Sequence, residues 1–305
     1  MEFRTIVEIE RPAFQIEPMD DMLFVGSCFA DNIGQRFVEN KFNAVVNPYG
    51  VMYNPASILH TVERIIRGER GEVRGERGEV RGERFVPRVV FFTLGTNHVY
   101  RLKETGEIVD NCRKRPARLF QEEELTVDEC ADYLKQAVDM LRTVNPEVHV
   151  VFTVSPIRYA KYGYHESQLS KATLMLAAQK CITHLSPLTS HLSPLTSHLS
   201  PLTSHLSPLY YFPAYEIVND ELRDYRFYRE DMIHPSDQAV EYIWQRLQQT
   251  CFSDAALRWL DEWKPVKNAL NHRPFNPDGD EYKQFMEKTR QKISELQLRY
   301  PKLKI

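Results

Sequence analysis

The sequence has little of what disulfide-rich, zinc-binding or nucleotide-binding proteins contain. It holds five cysteines among 305 residues, and this odd, widely scattered set includes no Cys-x-x-Cys pair. We therefore expect neither a disulfide framework nor a metal site. A Gly-x-Gly-x-x-Gly string and a phosphate-binding loop are also lacking, which argues against a nucleotide cofactor. The sequence thus predicts a protein that works without cofactors.

A strong charge of one sign and long apolar runs are lacking as well. The 39 Lys and Arg residues nearly balance the 42 Asp and Glu residues, which leaves a net charge of −3. This balance gives no electrostatic reason to expect nucleic acid or a membrane surface as a partner. No apolar run is long enough for a spanning helix, and the chain does not begin with a basic segment followed by an apolar stretch. We expect a cytoplasmic protein and leave its oligomeric state open.

Two seven-residue repeats interrupt the chain. Residues 67–84 read RGERGEV twice and then RGER, and residues 184–209 read HLSPLTS three times and then HLSPL. Glycine in the first repeat and proline in the second disfavour helices and strands. Prolines separate the four histidines of the second repeat, which favours a loop over a metal site. We expect both repeats to lengthen surface loops, because the entropy of loop closure grows only logarithmically with length.

Outside the repeats, the sequence predicts strands that alternate with helices. Some strands are continuously apolar, which is typical of burial on both faces of a sheet. The pattern favours an α/β fold with a mostly parallel sheet covered by helices on both faces. The expected strands are 5–9, 23–25, 43–46, 88–94, 99–102, 107–109, 148–154 and 210–212. The expected helices are 28–40, 54–65, 126–145, 169–181, 215–222, 235–249 and 280–298.

Three short loops follow predicted strands of this sheet. They comprise residues 26–28, 95–97 and 155–156. In open parallel sheets, ligand sites lie outside the carboxyl ends of the strands. We therefore expect the active site at the edge where these three loops converge.

Two strings far apart in the chain carry candidate catalytic groups. Ser27 and Cys28 place a hydroxyl and a thiol directly after an apolar run, and Asp231 precedes His234 by three residues. A nucleophile with a separate acid–base pair is the minimum set for acyl transfer. Each string also has a structural interpretation, with Cys28 as a small buried residue and Asp231 as a helix cap. The catalytic interpretation requires the two strings to meet in space.

Several strings resemble the GSCFA family, whose name is the sequence of residues 26–30. The other matching strings lie at residues 47–55, 155–158, 168–173, 231–235 and 272–277. That family in turn resembles the SGNH (GDSL-type) hydrolases. The resemblance implies a three-layer α/β/α sandwich with a flavodoxin-like strand order. It implies this domain for residues 1–260, with insertions at 67–84 and 184–209, and a C-terminal helical extension for residues 261–305.

The resemblance also implies roles for the residues of the two strings. Cys28 stands where the hydrolases have their nucleophilic serine, and Ser27 stands where they usually have an aspartate. Both remain candidates for the nucleophile, because a small shift in the turn would present Ser27 instead. Asp231 and His234 match the Asp-x-x-His string that completes the catalytic triad.

Four further residues are candidates around this triad. Gly50 and Asn97 match the glycine and asparagine that hold the oxyanion together with the N–H of the nucleophile. Arg158 would either bind an anionic group of the substrate or brace the rim of the site. His98 is a candidate for lining the pocket, although a half-exposed strand histidine is the more common case.

The resemblance implies a hydrolase that cleaves an ester through a covalent acyl-enzyme, for example an O-acetyl group on a carbohydrate. The expected partner is thus a small-molecule or carbohydrate ester, without nucleic acid or membrane. Two alternatives remain open at this stage. The first is an acyltransferase with a cysteine nucleophile, and the second is a non-catalytic binding protein that retains the fold.

Overall fold

The computed structural model describes residues 4–69, 85–112, 115–185 and 208–303. Most of the first repeat and most of the second lie outside these ranges. The expectation that the repeats are surface-loop insertions therefore remains a prediction.

The main sheet has five parallel strands, as the sequence predicts. The strand order is β2-β1-β3-β7-β8, which is the flavodoxin-like order. The central strands β3 and β7 are apolar almost throughout and buried on both faces. Within the described ranges, the strands are β1 (Asp21–Gly26), β2 (Asn43–Val46), β3 (Val89–Leu94), β4 (His98–Leu102), β5 (Ile108–Val109), β6 (Phe120–Glu124), β7 (His149–Val154) and β8 (Leu209–Tyr211).

Helices cover both faces of the sheet, which makes three layers. Side chains of α1, α5 and α6 pack on one face, and those of α2, α3 and α4 pack on the other. Each face thus has its own apolar core. Among the described residues, the helices of twelve or more residues are α1 (Cys28–Glu39), α2 (Pro55–Ile66), α3 (Val127–Val144), α4 (Tyr164–Leu185), α5 (Asp237–Cys251), α6 (Asp254–Asn271) and α7 (Asp280–Arg299). The predicted helix 215–222 is present as a short helical segment over Ala214–Glu216 and Ile217–Glu221. This architecture confirms the predicted α/β/α sandwich.

A small antiparallel sheet follows β3. Its strand order is β5-β4-β6. The sequence predicts the β4–β5 hairpin but not β6, because β6 is mostly polar and exposed. The structure also differs at the start of the chain, where the described residues form no strand over 5–9.

The C-terminal helices pack against the end of α1. The indole N–H groups of Trp259 and Trp263 donate to the carbonyls of Asn40 (2.8 Å) and Glu39 (3.0 Å). Both indoles are almost fully buried. Helix α6 continues without a break across residues 260 and 261, the position at which the resemblance divides the chain into the main domain and the C-terminal extension. Within the described ranges, no helix combines the length and the apolar character that crossing a bilayer would need.

Candidate active site

Three neighbouring strands end together at the edge that carries the predicted loops. Gly26 at the end of β1 pairs with Thr93 in β3, and Thr93 pairs with Thr153 in β7. Gly26 has a φ of +146°, and a Cβ there would lie 2.2 Å from the Thr93 carbonyl oxygen. Only glycine fits this turn, which leads directly from β1 into α1.

Ser27 caps α1 with its side chain. Its Oγ accepts a hydrogen bond from the Phe29 N–H (3.2 Å) and lies 3.3 Å from the hydroxyl oxygen of Thr93. The residue is only 1% exposed. An N-cap serine satisfies one of the backbone donors that a helix start leaves unpaired. The Ser27 hydroxyl is thus engaged in the structure of the turn.

Cys28 is the first residue of α1 and is partly exposed. Its Sγ lies 3.6 Å from the hydroxyl oxygen of Tyr53, which comes from the loop after β2. Within the described part of the chain, the Cys28 N–H has no hydrogen-bond acceptor. A thiol and a free N–H at a helix start form a place where negative charge is stabilised.

Asp231 and His234 form a hydrogen-bonded pair in the loop before α5. Oδ2 of Asp231 lies 2.6 Å from Nδ1 of His234, and Oδ1 accepts from the N–H groups of Ile233 and His234, both at 2.9 Å. The backbone N–H bonds from His234 and Ile233, and then the imidazole bond, lower the pKa of Asp231 to about 2. When Nδ1–H donates to the carboxylate, Nε2 of a neutral imidazole is left as an acceptor.

Arg158 connects this loop to the loop after β7. Its N–H donates to the Ile233 carbonyl (3.0 Å), and its guanidinium donates to the Met232 carbonyl (3.0 Å). Met232 has a φ of +56°, a region that side-chain-bearing residues adopt at a cost. The guanidinium also stacks on the Tyr164 ring at 4.1 Å. In this structure Arg158 braces the loop that carries His234.

The thiol and the imidazole lie at the same edge of the sheet and are linked through the residues Tyr53, Tyr159 and Arg158. The Tyr53 ring, whose hydroxyl contacts Cys28, lies 6.5 Å from the ring of Tyr159, the residue after Arg158. Among the described residues, no hydrogen bond joins the Cys28 thiol to the His234 imidazole. Catalytic hydrogen bonds are often long in ligand-free enzymes and shorten when the substrate binds.

The two predicted oxyanion residues bond protein acceptors. The Gly50 N–H donates to the Asn47 carbonyl (2.8 Å) and closes a turn in which Gly50 has a φ of +92°. Nδ2 of Asn97 donates to the Leu125 carbonyl (2.8 Å), and Asn97 is only 4% exposed. Both donors thus contribute to loop structure in the ligand-free protein.

His98 lies at the start of β4 under an aromatic ring. Its imidazole stacks on the Tyr162 ring with 4.1 Å between centroids. It is 7% exposed, and this burial lowers its pKa. The imidazole is therefore neutral at physiological pH and packs between the small sheet and the loop after β7.

Asn47 and Tyr53 belong to the site but are not singled out by the sequence analysis. Oδ1 of Asn47 accepts from the Gly26 N–H (2.9 Å), and its Nδ2 donates to Asp31 in α1 (2.7 Å). Asn47 thus fixes the turn that presents Cys28. Both residues lie in the GSCFA-like string 47–55, and that string is the sequence signal that could have identified them as part of the site.

The structure and the sequence together define the class of this protein. It is a three-layer α/β/α protein with a parallel sheet, and a thiol, an Asp–His pair and their supporting loops lie at the carboxyl edge of that sheet. The model of the GSCFA family matches residues 21–75 and 79–247. The model of the GSCFA domain protein C-terminal domain matches residues 263–305. The chain therefore belongs to the GSCFA family.

Comparison with solved structures gives distant similarities, and no curated protein matches the sequence. An acetyl esterase mutant with acetate ion has a TM-score of 0.41 at 12% identity, covering 79% of this chain and 98% of that one. The Clostridium thermocellum family 3 carbohydrate esterase has 0.39 at 11% identity, with 82% and 98% covered. A carbohydrate esterase family 3 protein from Talaromyces cellulolyticus has 0.36 at 11% identity, with 79% and 98% covered.

Proposed function

We propose that this protein is an ester hydrolase that forms a covalent acyl-enzyme on Cys28. The observation that carries the proposal is the placement of a partly exposed thiol at the start of α1, on the same edge as the Asp231–His234 pair. The resemblance of this arrangement to the nucleophile and Asp-x-x-His strings of the SGNH hydrolases supports it further.

Cys28 is our choice of nucleophile over Ser27. The Ser27 hydroxyl is buried and bonds the Phe29 N–H and Thr93. The thiol one residue later reaches solvent and ionises more readily than a hydroxyl. A nucleophile must reach the substrate carbonyl, and this requirement favours the exposed group.

The reaction has two halves. Nε2 of His234 takes the thiol proton, and the thiolate attacks the ester carbonyl carbon to form a tetrahedral intermediate. The intermediate expels the alcohol, which receives the proton back from His234, and the acyl group stays on Sγ. Water, deprotonated by His234, then attacks the thioester carbonyl carbon. The C–S bond breaks, the thiolate takes the proton back from His234, and the acid is released. Asp231 holds the imidazole and stabilises its charged form.

The substrate that we propose is a small acyl ester on a carbohydrate, such as an O-acetyl group. Tyr53, whose hydroxyl contacts the thiol, is 41% exposed. The rings of Tyr159 and Tyr162 follow, with 5.6 Å between their centroids. A row of aromatic rings beside a nucleophile suits the apolar faces of sugar rings.

Variant kinetics with p-nitrophenyl acetate test the proposed function. We expect Cys28→Ala and His234→Ala each to lower kcat/KM by roughly 10³-fold or more, because the catalytic group is lost. The matched control is Ser27→Ala, which removes the neighbouring hydroxyl and the helix cap. It should lower stability by about 1 kcal/mol and retain most of the activity.

Other outcomes of this experiment would contradict the proposal. Loss of activity in Ser27→Ala with full activity in Cys28→Ala would make Ser27 the nucleophile. A stable acyl group on Cys28 that is released only by an added acceptor would identify an acyltransferase. No turnover and no labelling of Cys28 by thiol-directed probes would favour a binding protein.

A further inference from the structure

The hydroxyl of Tyr53 contacts the Cys28 thiol, although the sequence analysis gave Tyr53 no catalytic role. The oxygen lies 3.6 Å from Sγ of Cys28, within the range for a hydrogen bond to sulfur. Gly50 and Asn97, the residues expected to hold the oxyanion, donate to the carbonyls of Asn47 and Leu125 instead. The Tyr53 hydroxyl, in contrast, lies beside the sulfur atom at which negative charge develops when the thiol ionises.

The backbone of Tyr53 is fixed by the loop after β3. Its carbonyl accepts from the N–H groups of Gly95 (2.9 Å) and Thr96 (2.8 Å). A Cβ at Gly95 would lie 2.9 Å from the same carbonyl oxygen, so the close approach needs glycine. The carbonyl of Gly95 in turn accepts from Nζ of the buried Lys171 (2.6 Å). A donor held in this way needs no reorganisation during the reaction.

The surroundings of Tyr53 keep its phenol protonated. Partial burial, followed by the hydrogen bond to Cys28 and its charge, raises the pKa of Tyr53. Tyr159 beside it and Asp31 on α1 act in the same direction. The Tyr53 hydroxyl therefore keeps its proton and can donate a hydrogen bond to a neighbouring anion.

We propose that the Tyr53 hydroxyl donates a hydrogen bond first to the Cys28 thiolate and then to the oxyanion of the tetrahedral intermediate. The second half of this proposal rests on the proposed function. When the thiolate forms the S–C bond, the carbonyl π pair moves to oxygen, and Tyr53 donates to that oxygen without giving up its proton. When the intermediate collapses, the C=O bond re-forms, the C–O bond to the alcohol breaks, and the alcohol takes its proton from His234.

The Tyr53→Phe variant tests this proposal. Tyr49→Phe is the matched control, because it removes a hydroxyl from the same loop that donates to the Glu69 carbonyl and does not contact the thiol. The first measurement is the rate of alkylation of Cys28 by iodoacetamide as a function of pH. Peptide mapping separates Cys28 from Cys112, the other partly exposed thiol. We expect the midpoint to move to higher pH in Tyr53→Phe and to stay in Tyr49→Phe, because only the Tyr53 hydroxyl contacts the thiol.

The second measurement is the turnover of p-nitrophenyl acetate. Loss of one oxyanion donor typically costs two to three orders of magnitude, so we expect kcat to fall about 100-fold in Tyr53→Phe while KM changes little. The control variant should keep kcat within a few-fold of the wild type. Thermal melting of both variants shows whether they fold like the wild type.

The two measurements separate failure of this inference from failure of the proposed function. An unchanged alkylation midpoint in Tyr53→Phe overturns the inference, whether or not the wild type hydrolyses esters. A shifted midpoint with unchanged kcat supports the thiolate bond and overturns the oxyanion role. If the midpoint shifts in Tyr53→Phe but the wild type has no esterase activity, the proposed function and the oxyanion role are both overturned, and the thiolate bond remains supported.

Discussion

Lys171 on α4 places an ionisable amine in the interior of the protein. It is 2% exposed, and its Nζ donates to the Gly95 carbonyl at 2.6 Å. Desolvation lowers the pKa of this ammonium to about 7. The adjacent Ser170 accepts from the Asn97 N–H (3.0 Å). These two residues hold the loop that fixes Tyr53. The buried amine thus supports a loop of the candidate site, although its desolvation lowers stability.

Burial of Lys171 should make stability depend on pH in a defined direction. Between about pH 7 and 10.5 the unfolded chain holds the lysine proton while the folded protein has released it. Unfolding therefore takes up a proton, and the free energy of unfolding rises with pH in this window. We expect Lys171→Met to lack this contribution in urea denaturation measured at several pH values.

The difference between the wild type and Lys171→Met isolates Lys171 from the buried cysteines, whose thiols ionise within this window in the unfolded chain but not in the folded protein. Lys135→Met, at a half-exposed lysine of α3, serves as the control and should follow the wild type. Identical pH profiles for the wild type and Lys171→Met would show that the buried amine does not lose its proton in this window.

At the scale of elements, the loop before α5 depends on a residue from another loop. The Arg229 N–H donates to the His234 carbonyl (2.8 Å), and Tyr228 forms an antiparallel bridge with Pro235. Arg158 adds two bonds from outside the loop, to the carbonyls of Ile233 and Met232. These bonds hold the loop in the conformation that orients the imidazole.

Arg158→Gln should loosen this loop. We expect kcat to fall about ten- to a hundredfold with little change in KM, because misplacement of a catalytic group impairs chemistry more than binding. Hydrogen exchange at residues 230–234 should become faster. The control is Arg226→Gln, at an arginine whose side chain is 71% exposed. A rise in KM with unchanged exchange would instead assign Arg158 to substrate binding.

The strands show which elements sequence patterns reveal. The apolar runs of β3 and β7 identify central strands, because only burial on both faces requires such runs. Strand β6 reads Phe-Gln-Glu-Glu-Glu and has no apolar alternation, since it forms through pairing with β4. Strand β6 therefore cannot be predicted from its own residues, because it depends on pairing with β4.

The start of α1 shows the corresponding limit for the site. The sequence offers Ser27 and Cys28 as candidates for the nucleophile but gives no basis in side-chain contacts for choosing between them. The contacts of Ser27 depend on Thr93 in another strand, and those of Cys28 depend on Tyr53 in another loop. The Asp231–His234 bond is local in sequence, so its spacing alone indicated the pair.

At the scale of the whole molecule, the two ends of α1 have different tasks. Its first residue carries the thiol, and its C-terminal end receives indole N–H bonds from Trp259 and Trp263 of α6. Phe37 of α1 packs edge-on against Trp244 of α5 at 4.8 Å. Helix α1 is thus fixed by helices from the C-terminal part of the chain, and this packing also holds the thiol in place.

The central claim, that Cys28 carries the acyl group during ester cleavage, is most directly tested by trapping that group. The protein would be mixed with p-nitrophenyl acetate, quenched in acid within the first turnovers and analysed by intact mass and peptide mapping. We predict one acetyl group per chain on the peptide that contains Cys28, and no such adduct in Cys28→Ala. Sustained turnover without an acetyl group on that peptide, or an acetyl group on Ser27, would contradict the account.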